Sequence, residues 1–277
     1  MLASTCLYSL CARLCVVVNV RGVSVTQLRD VVYIATQWSS AVVRFSATTH
    51  QRLTDVNVKD LSSPWDVAAC QQTSRLYVTD DWQSIWRLSS NAEDILRWPP
   101  ESPSDRFEPY KLSVTSTRLL VTSRNTRQLI QFDAAGQELK RVQLSYYMQP
   151  QHAVESPTGT FIVGHGSYTR LFQKLCQVSE VNTEGEVLRQ FSGPLGDNLR
   201  SAVDSRGNVL VADCDGRRVL LLDARLALRR VIIDEHQLNN KGPRCLCYHE
   251  QSGQLLVGFF DHVSWNGGIA MFDVLRR

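Results

Sequence analysis

The residues that could do chemistry lie in short polar stretches between apolar runs. Ten of them form a candidate partner-binding set: Trp38, Trp82, Arg124, Arg127, His165, Tyr168, Arg170, Arg217, Arg218 and Trp265, with His262 close by. Aromatic rings stack on bases while arginine contacts phosphate, so this mixture can hold RNA. The same stretches carry Asp80, Asp81, Asp213, Asp215 and Asp261, which offset most of the positive charge. Buried Trp, Tyr and Arg anchor protein interfaces, which tolerate mixed charge, so a protein partner is favoured and RNA is the alternative. The stretch from Gly164 to Gln177, GHGSYTRLFQKLCQ, reads as the longest connecting loop and a prime contact region.

Enzyme signatures are weaker. The tetrapeptide DCDG at Asp213–Gly216 resembles the start of a calcium loop but lacks the third acid and the closing Glu, so it reads as a turn. His152 and Glu155 stand three apart, which on a strand points them to opposite faces. GHGSY lacks the strand-to-helix setting of a nucleophile elbow. Cys6, Cys11 and Cys15 have no adjacent histidine and make a poor zinc set. Asp66, His152 and Asp204 could line a central channel holding a cation, which is the enzyme alternative. The expectation is a non-catalytic module with no catalytic residue, metal or cofactor.

What positions these stretches is a repeat. Tyr33-Ile34-Ala35 recurs as Tyr77-Val78-Thr79, Leu120-Val121-Thr122, Ile162-Val163-Gly164, Leu210-Val211-Ala212 and Leu256-Val257-Gly258, at spacings of 44, 43, 42, 48 and 46 residues. Before each of the last five tripeptides lies an opening strand, such as WDVAAC, KLSVTS or SAVDS; after each comes a third apolar run, such as SIWRL, QLIQF or RVLLL. DAAGQE and NTEGEV then read as hairpin turns into a fourth strand, and GQELKRVQL occupies that fourth-strand slot. Runs of four to six residues rich in Val, Ile, Leu, Tyr and Phe lack helical periodicity. The expected fold is all-β, a six-bladed β-propeller, which removes exposed sheet edges by radial repetition. It forms one domain over 1–277, with blades near 22–61, 62–108, 109–149, 150–200, 201–242 and 243–277. The last unit ends without a fourth strand and the chain begins with a spare apolar one, LCVVVNV, so residues 1–21 are expected to complete the sixth blade and close the ring.

The unit RSAVDSRGNVLVADCDGRRVLLLD, Arg200 to Asp223, resembles an NHL repeat, with its Ala-Val-Asp opening strand, glycine turn, Val-x-Val-Ala-Asp and following Arg-Val run. LYVTDDWQSIWRL is similar to the YWTD propeller repeat. The NHL resemblance implies a protein-binding or RNA-binding module of the kind found in tripartite-motif ubiquitin ligases. Related propellers include calcium- or zinc-dependent lyases and lactonases. Without CxxC pairs or heptads, no residues here carry ligase activity.

The totals agree with a globular chain of this size. Of 277 residues, 43% are hydrophobic and 21% charged, and the formal net charge of +3 is too small to announce a nucleic-acid binder. Eight cysteines form no even framework, and no Asn-x-Ser/Thr acceptor occurs, so the expectation is free thiols in a cytoplasmic protein, with secretion as the weaker alternative. Arg13 and Arg21 break the N-terminal apolar stretch, so a strand is expected there rather than a signal or a membrane span.

Overall fold

The computed structural model describes residues 8–16, 23–81, 84–91, 93–99, 107–168, 174–260 and 267–276. The short β-branched and aromatic runs form strands, and no α-helix occurs among the described residues. The first strand, β1 (Tyr8–Val16), belongs to the last sheet. Blade 1 contains β2 (Val23–Leu28), β3 (Val31–Thr36), β4 (Ala41–Ser46) and β5 (Arg52–Asn57). Blade 2 contains β6 (Asp66–Cys70), β7 (Arg75–Thr79), β8 (Ile85–Ser89) and β9 (Ile95–Trp98). Blade 3 contains β10 (Lys111–Thr115), β11 (Arg118–Ser123), β12 (Gln128–Phe132) and β13 (Glu138–Gln143). Blade 4 contains β14 (Gln149–Glu155), β15 (Phe161–Tyr168), β16 (Lys174–Val181) and β17 (Val187–Phe191). Blade 5 contains β18 (Arg200–Val203), β19 (Val209–Asp213), β20 (Arg218–Leu222) and β21 (Leu228–Ile233). Blade 6 contains β22 (Gly242–His249), β23 (Gln254–Phe260) and β24 (Gly267–Arg276), with β1 beside β24.

Every blade is an antiparallel four-stranded sheet, and together they make a six-bladed β-propeller. The inner strands touch in a closed cycle, β2 to β6, β10, β14, β18, β22 and back to β2. Six apolar clusters fill the six seams. Val25, Ile34 and Val43 of blade 1 meet Leu256, Ile269 and Met271 of blade 6, so that last seam is packed like the others. Between blades 2 and 3, Trp98 lies 5.0 Å from Tyr77 and 5.4 Å from Phe132, ring centre to ring centre. The repeated tripeptides lie on the second strands and are apolar on both faces because each sheet is covered by two neighbours. Burying each such side chain contributes about 1.5–3 kcal/mol before chain entropy is subtracted.

The turns repeat as well. Asp133 Oδ1 accepts the amides of Ala135, Gly136 and Gln137, and Asn182 Oδ1 accepts those of Glu184 and Glu186. Both loops need a residue with positive φ, Gly136 at 98° and Gly185 at 88°, and a Cβ on Gly185 would sit 2.1 Å from the Gln143 carbonyl oxygen. GQELKRVQL enters the outer strand β13, whose exposed positions explain its polarity.

The strand beside β24 begins before LCVVVNV and includes its first three residues, Leu14 to Val16. It pairs from Tyr8 opposite Arg276 to Val16 opposite Ile269, with a register shift between Ala12 and Leu14; residues 17–20 lie outside the described part. Whether this pairing locks the ring is a matter for deletion. Removing residues 1–21 uncovers the β24 ladder, an open edge that invites intermolecular pairing. The expected result is a melting temperature lowered by at least about 5 °C together with concentration-dependent association in sedimentation; an unchanged monomeric melting curve excludes a locking role.

Candidate functional site at the channel mouth

One repeat position decides what the axis holds. The register sets Ser24 opposite Ala35, Asp66 opposite Thr79, Lys111 opposite Thr122, His152 opposite Gly164, Arg200 opposite Ala212 and Cys245 opposite Gly258. Each partner is the third residue of the repeated tripeptide, so these six side chains occupy equivalent places, one per blade, around the axis. Five of the six are ionisable types.

They are tied together across blades. Arg200 of blade 5 reaches Asp66 of blade 2 with both ends of its fork, Nη1 to Oδ2 at 3.2 Å and Nη2 to Oδ1 at 3.3 Å, and both side chains are buried. Asp66 Oδ2 also accepts the Leu112 amide at 2.7 Å. His152 Nδ1 accepts the Ser201 amide at 3.2 Å, while Nε2 lies 3.4 Å from the Leu112 carbonyl oxygen, which assigns the remaining ring proton to Nε2. The Ser24 hydroxyl accepts the Val67 amide. Lys111 Nζ donates to the Trp65 carbonyl at 2.8 Å and stands 4.8 Å from the centre of the Tyr110 ring.

Electrostatics follow from this crowding. Burial alone would raise the Asp66 carboxyl, but the charges of Arg200 and Lys111 outweigh it and hold the group at about 2. Burial and then repulsion from Arg200 bring Lys111 down to about 7. The same two causes take His152 to about 3, and burial pushes the Cys245 thiol up to about 12. The belt divides the axial channel. Above it lies a cavity of about 50 Å³ lined from all six blades, including Gln37, Trp65, Tyr110, Lys111, Gln151, Arg200 and Arg244. Below it a polar cavity of about 540 Å³ opens on the opposite face, bordered by Gln27, Gln71, Ser113, Glu155 and Glu250.

The sequence-derived residues divide into three groups. Trp38, Arg124, Arg127 and Arg217 lie in the turns joining second to third strands, on the face that also carries the channel's upper mouth. Trp38 is 74% exposed, and Arg127 and Arg217 take positive φ. Trp82, Arg170, Trp265, His262 and Asp261, and the side chain of Tyr168, lie outside the described residues. His165 is buried within the sheet, and Arg218 is partly exposed and engaged within its own blade. The expected loop from Gly164 to Gln177 is mostly ladder, because β15 and β16 stay paired out to Tyr168 opposite Lys174. His165 therefore sits inside β15, 1% exposed, with Nε2 at 2.9 Å from the Ser179 hydroxyl, and burial takes its ring to about 4. Arg218 opens β20 and binds buried Asp213 at 3.0 Å and the Pro194 carbonyl at 2.6 Å.

DCDG is a turn. Asp213 Oδ1 accepts the amides of Gly196 and Gly216, and Oδ2 faces Arg218, which leaves this carboxylate little capacity for a cation. Asp80 in blade 2 acts alike, accepting the Ser84 amide and the Trp86 indole N–H. Nor do Asp66, His152 and Asp204 converge on a cation site. Asp204 closes the turn at the far end of β18, accepting the Arg206 and Asn208 amides, and the place facing Asp66 is taken by Arg200.

Lys111, Arg200, Arg244, Trp65 and Tyr110 were missed as site residues. The signal was present: the residue opening KLSVTS and RSAVDS is the one aligned with Asp66, and it changes from blade to blade between acid, base and imidazole.

Two outcomes test the belt. Asp66→Ala leaves Arg200 buried without its partner and should destabilise the fold by about 3–5 kcal/mol in urea unfolding, whereas Asp66→Leu with Arg200→Met should recover much of that loss. For pH, His152 and His165 are neutral in the folded chain with lowered pKa values, so the unfolded chain takes up protons first. Their contribution is complete above pH about 6.5 and falls as the pH drops toward 4, with a slope of up to about 1.4 kcal/mol per pH unit for each ring. Melting temperature measured from pH 8 to 4.5 should decline in that window, and less steeply in His152→Gln and His165→Gln; parallel curves would count against buried neutral imidazoles.

No protein-family model matches this chain, and no curated protein sequence matches it. Solved structures do. The chain resembles the Kuenenia stuttgartiensis hydrazine synthase at 13% identity and a TM-score of 0.62, covering 95% of this chain and 97% of that one. It resembles a streptogramin B lyase at 10% identity and a TM-score of 0.63, covering 97% and 98%. It resembles a chain of a nidogen/laminin complex at 14% identity and a TM-score of 0.59, covering 79% and 81%. At these identities the likeness is one of fold, and it fits what the blades, their order and the axial strands establish: this chain is a six-bladed β-propeller.

Proposed function

We propose that this protein is a non-catalytic interaction module that holds a protein partner on the upper face of the propeller. The observation carrying the reading is a group of uncovered aromatics on that face. Trp38 is 74% exposed, Tyr146 81%, Tyr147 50% and Trp65 37%. Tyr146 and Tyr147 sit between β13 and β14, in a loop tied to the Arg127 turn by the Leu144 amide, and Trp38 is tied to the Trp65 loop through Ser63. Between them a groove of about 570 Å³ is bordered by Trp65, Tyr110, Arg124, Arg127, Asp80, Asp81 and Glu108. Exposed Trp, Tyr and Arg beside a groove are what partner proteins bury. Asp80, Asp81 and Glu108 in the same wall disfavour a phosphate backbone, which argues against RNA. Reduced thiols at Cys70, Cys176, Cys214, Cys245 and Cys247 suit an intracellular setting.

Affinity capture from cell extract, compared across variants, tests this. Trp38→Ala with Tyr146→Ala should lose the partners retained by the native protein by tenfold or more, while Gln72→Ala on the lower face should keep them. Equal capture by all three refutes the upper face. Binding of random RNA oligonucleotides at low salt would replace the protein reading with the nucleic-acid one.

A further inference from the structure

The cavity above the axial belt has a composition that the fold does not need. Lys111, Arg200 and Arg244 line it, and among the described residues no carboxylate does. The axial carboxylate, Asp66, lies beneath, with its oxygens already engaged by the Arg200 fork and the Leu112 amide. Lys111 is 6% exposed and makes no ion pair with a described residue. A buried ammonium held by the Trp65 carbonyl and the Tyr110 ring, without an ion-pair partner among the described residues and beside a guanidinium, is unfavourable by desolvation and by repulsion, and a methionine would fill the same space at less cost. A fold that keeps such a cation at a mouth open to one face has the electrostatics of an anion site.

We propose that this cavity receives one carboxylate, the side chain of an aspartate or glutamate on the partner bound by the upper face. The inference rests on that reading and adds the chemistry of its centre. The volume, about 50 Å³, admits one small group and not a chain segment. Lys111 supplies the donating ammonium, and the Arg200 guanidinium, whose fork stays on Asp66, and the Arg244 guanidinium add positive charge to the wall. Trp65 and Tyr110 form apolar walls for the methylenes behind the carboxylate, and Gln37 and Gln151 add polar groups at the rim. The groups facing Lys111 are Arg200 from β18, Asp66 from β6, His152 from β14, and Arg244 and Cys245 from β22. A bound anion holds the Lys111 proton in place, so affinity is full below pH about 7 and weakens above it.

The probes are N-acetyl-glutamate α-amide, its glutamine counterpart, acetate and inorganic phosphate, each at constant ionic strength against chloride. Trp65 fluorescence and melting temperature report binding. The glutamate derivative and acetate should bind saturably and the glutamine derivative should not, with affinity at least tenfold weaker at pH 9 than at pH 6. Lys111→Met should lose that binding at least tenfold while melting no lower than the native protein; Arg244→Met serves as a second variant at a less buried position. Absence of a saturable carboxylate response, a response to phosphate alone, or an undiminished response in both variants overturns the proposal. Carboxylate binding with unchanged partner capture by Lys111→Met assigns the site to a free small acid and overturns the partner's side chain as its source. If carboxylates bind but Trp38→Ala with Tyr146→Ala leaves capture intact, the upper-face reading fails and the anion site stands.

Discussion

Six inner strands brought to one axis leave each side chain at a given level with five neighbours and little exposed surface, and this crowding sets the terms for the centre of the molecule. The level occupied by Ser24, Asp66, Lys111, His152, Arg200 and Cys245 must satisfy several polar groups from within. The Asp66–Arg200 fork does most of this, because it joins blade 2 to blade 5 across the axis while the Asp66 carboxylate also takes a blade 3 amide. His152 links blade 3 to blade 5 by presenting an acceptor on one side and an N–H on the other. Removing one partner exposes the remainder to the full penalty of an unpaired buried group.

The belt also explains why the two ends of the channel differ. It plugs the axis, so whatever enters from the upper face meets Lys111, Arg200 and Arg244, and whatever enters from below meets glutamines, serines and glutamates. The seams between blades, filled by Trp98, Phe132, Phe161, Phe272 and their aliphatic neighbours, make the scaffold rigid. Polar chemistry is thereby concentrated at the turns and the axis. In the proposed reading the aromatic turns serve as a broad contact surface and the cationic mouth as a small, charged centre within it. Such a division resembles the arrangement of interface anchors around a specific polar contact.

Much of the architecture was legible in the chain because a β-propeller is a periodic object. Tripeptides recurring every 42 to 48 residues, short apolar runs and Asx-glycine turns are local features, and each maps to one strand or hairpin. The site was legible in part. Trp38, Arg124, Arg127 and Arg217 are in turns on the upper face as their spacing implied, since turn position follows from strand order. His165 was misplaced by a few residues of ladder, because hydrogen bonding between β15 and β16 continues past the point where the apolar pattern stops. A strand need not look apolar where its neighbour strand supplies the pairing and the adjacent blade supplies the cover.

By itself, the amino-acid sequence determined the repeat, the strand types and the face on which the connecting turns emerge, since hydrophobic period and turn chemistry act over a few residues. Only the tertiary structure decided which side chains share the axis. Asp66 and Arg200 are 134 residues apart, and nothing in either neighbourhood announces the other. Their meeting, the repulsion between Arg200 and Lys111, and the charge of the channel mouth all arise from closing a sixfold ring, which brings equivalent positions of distant repeats within a few ångströms.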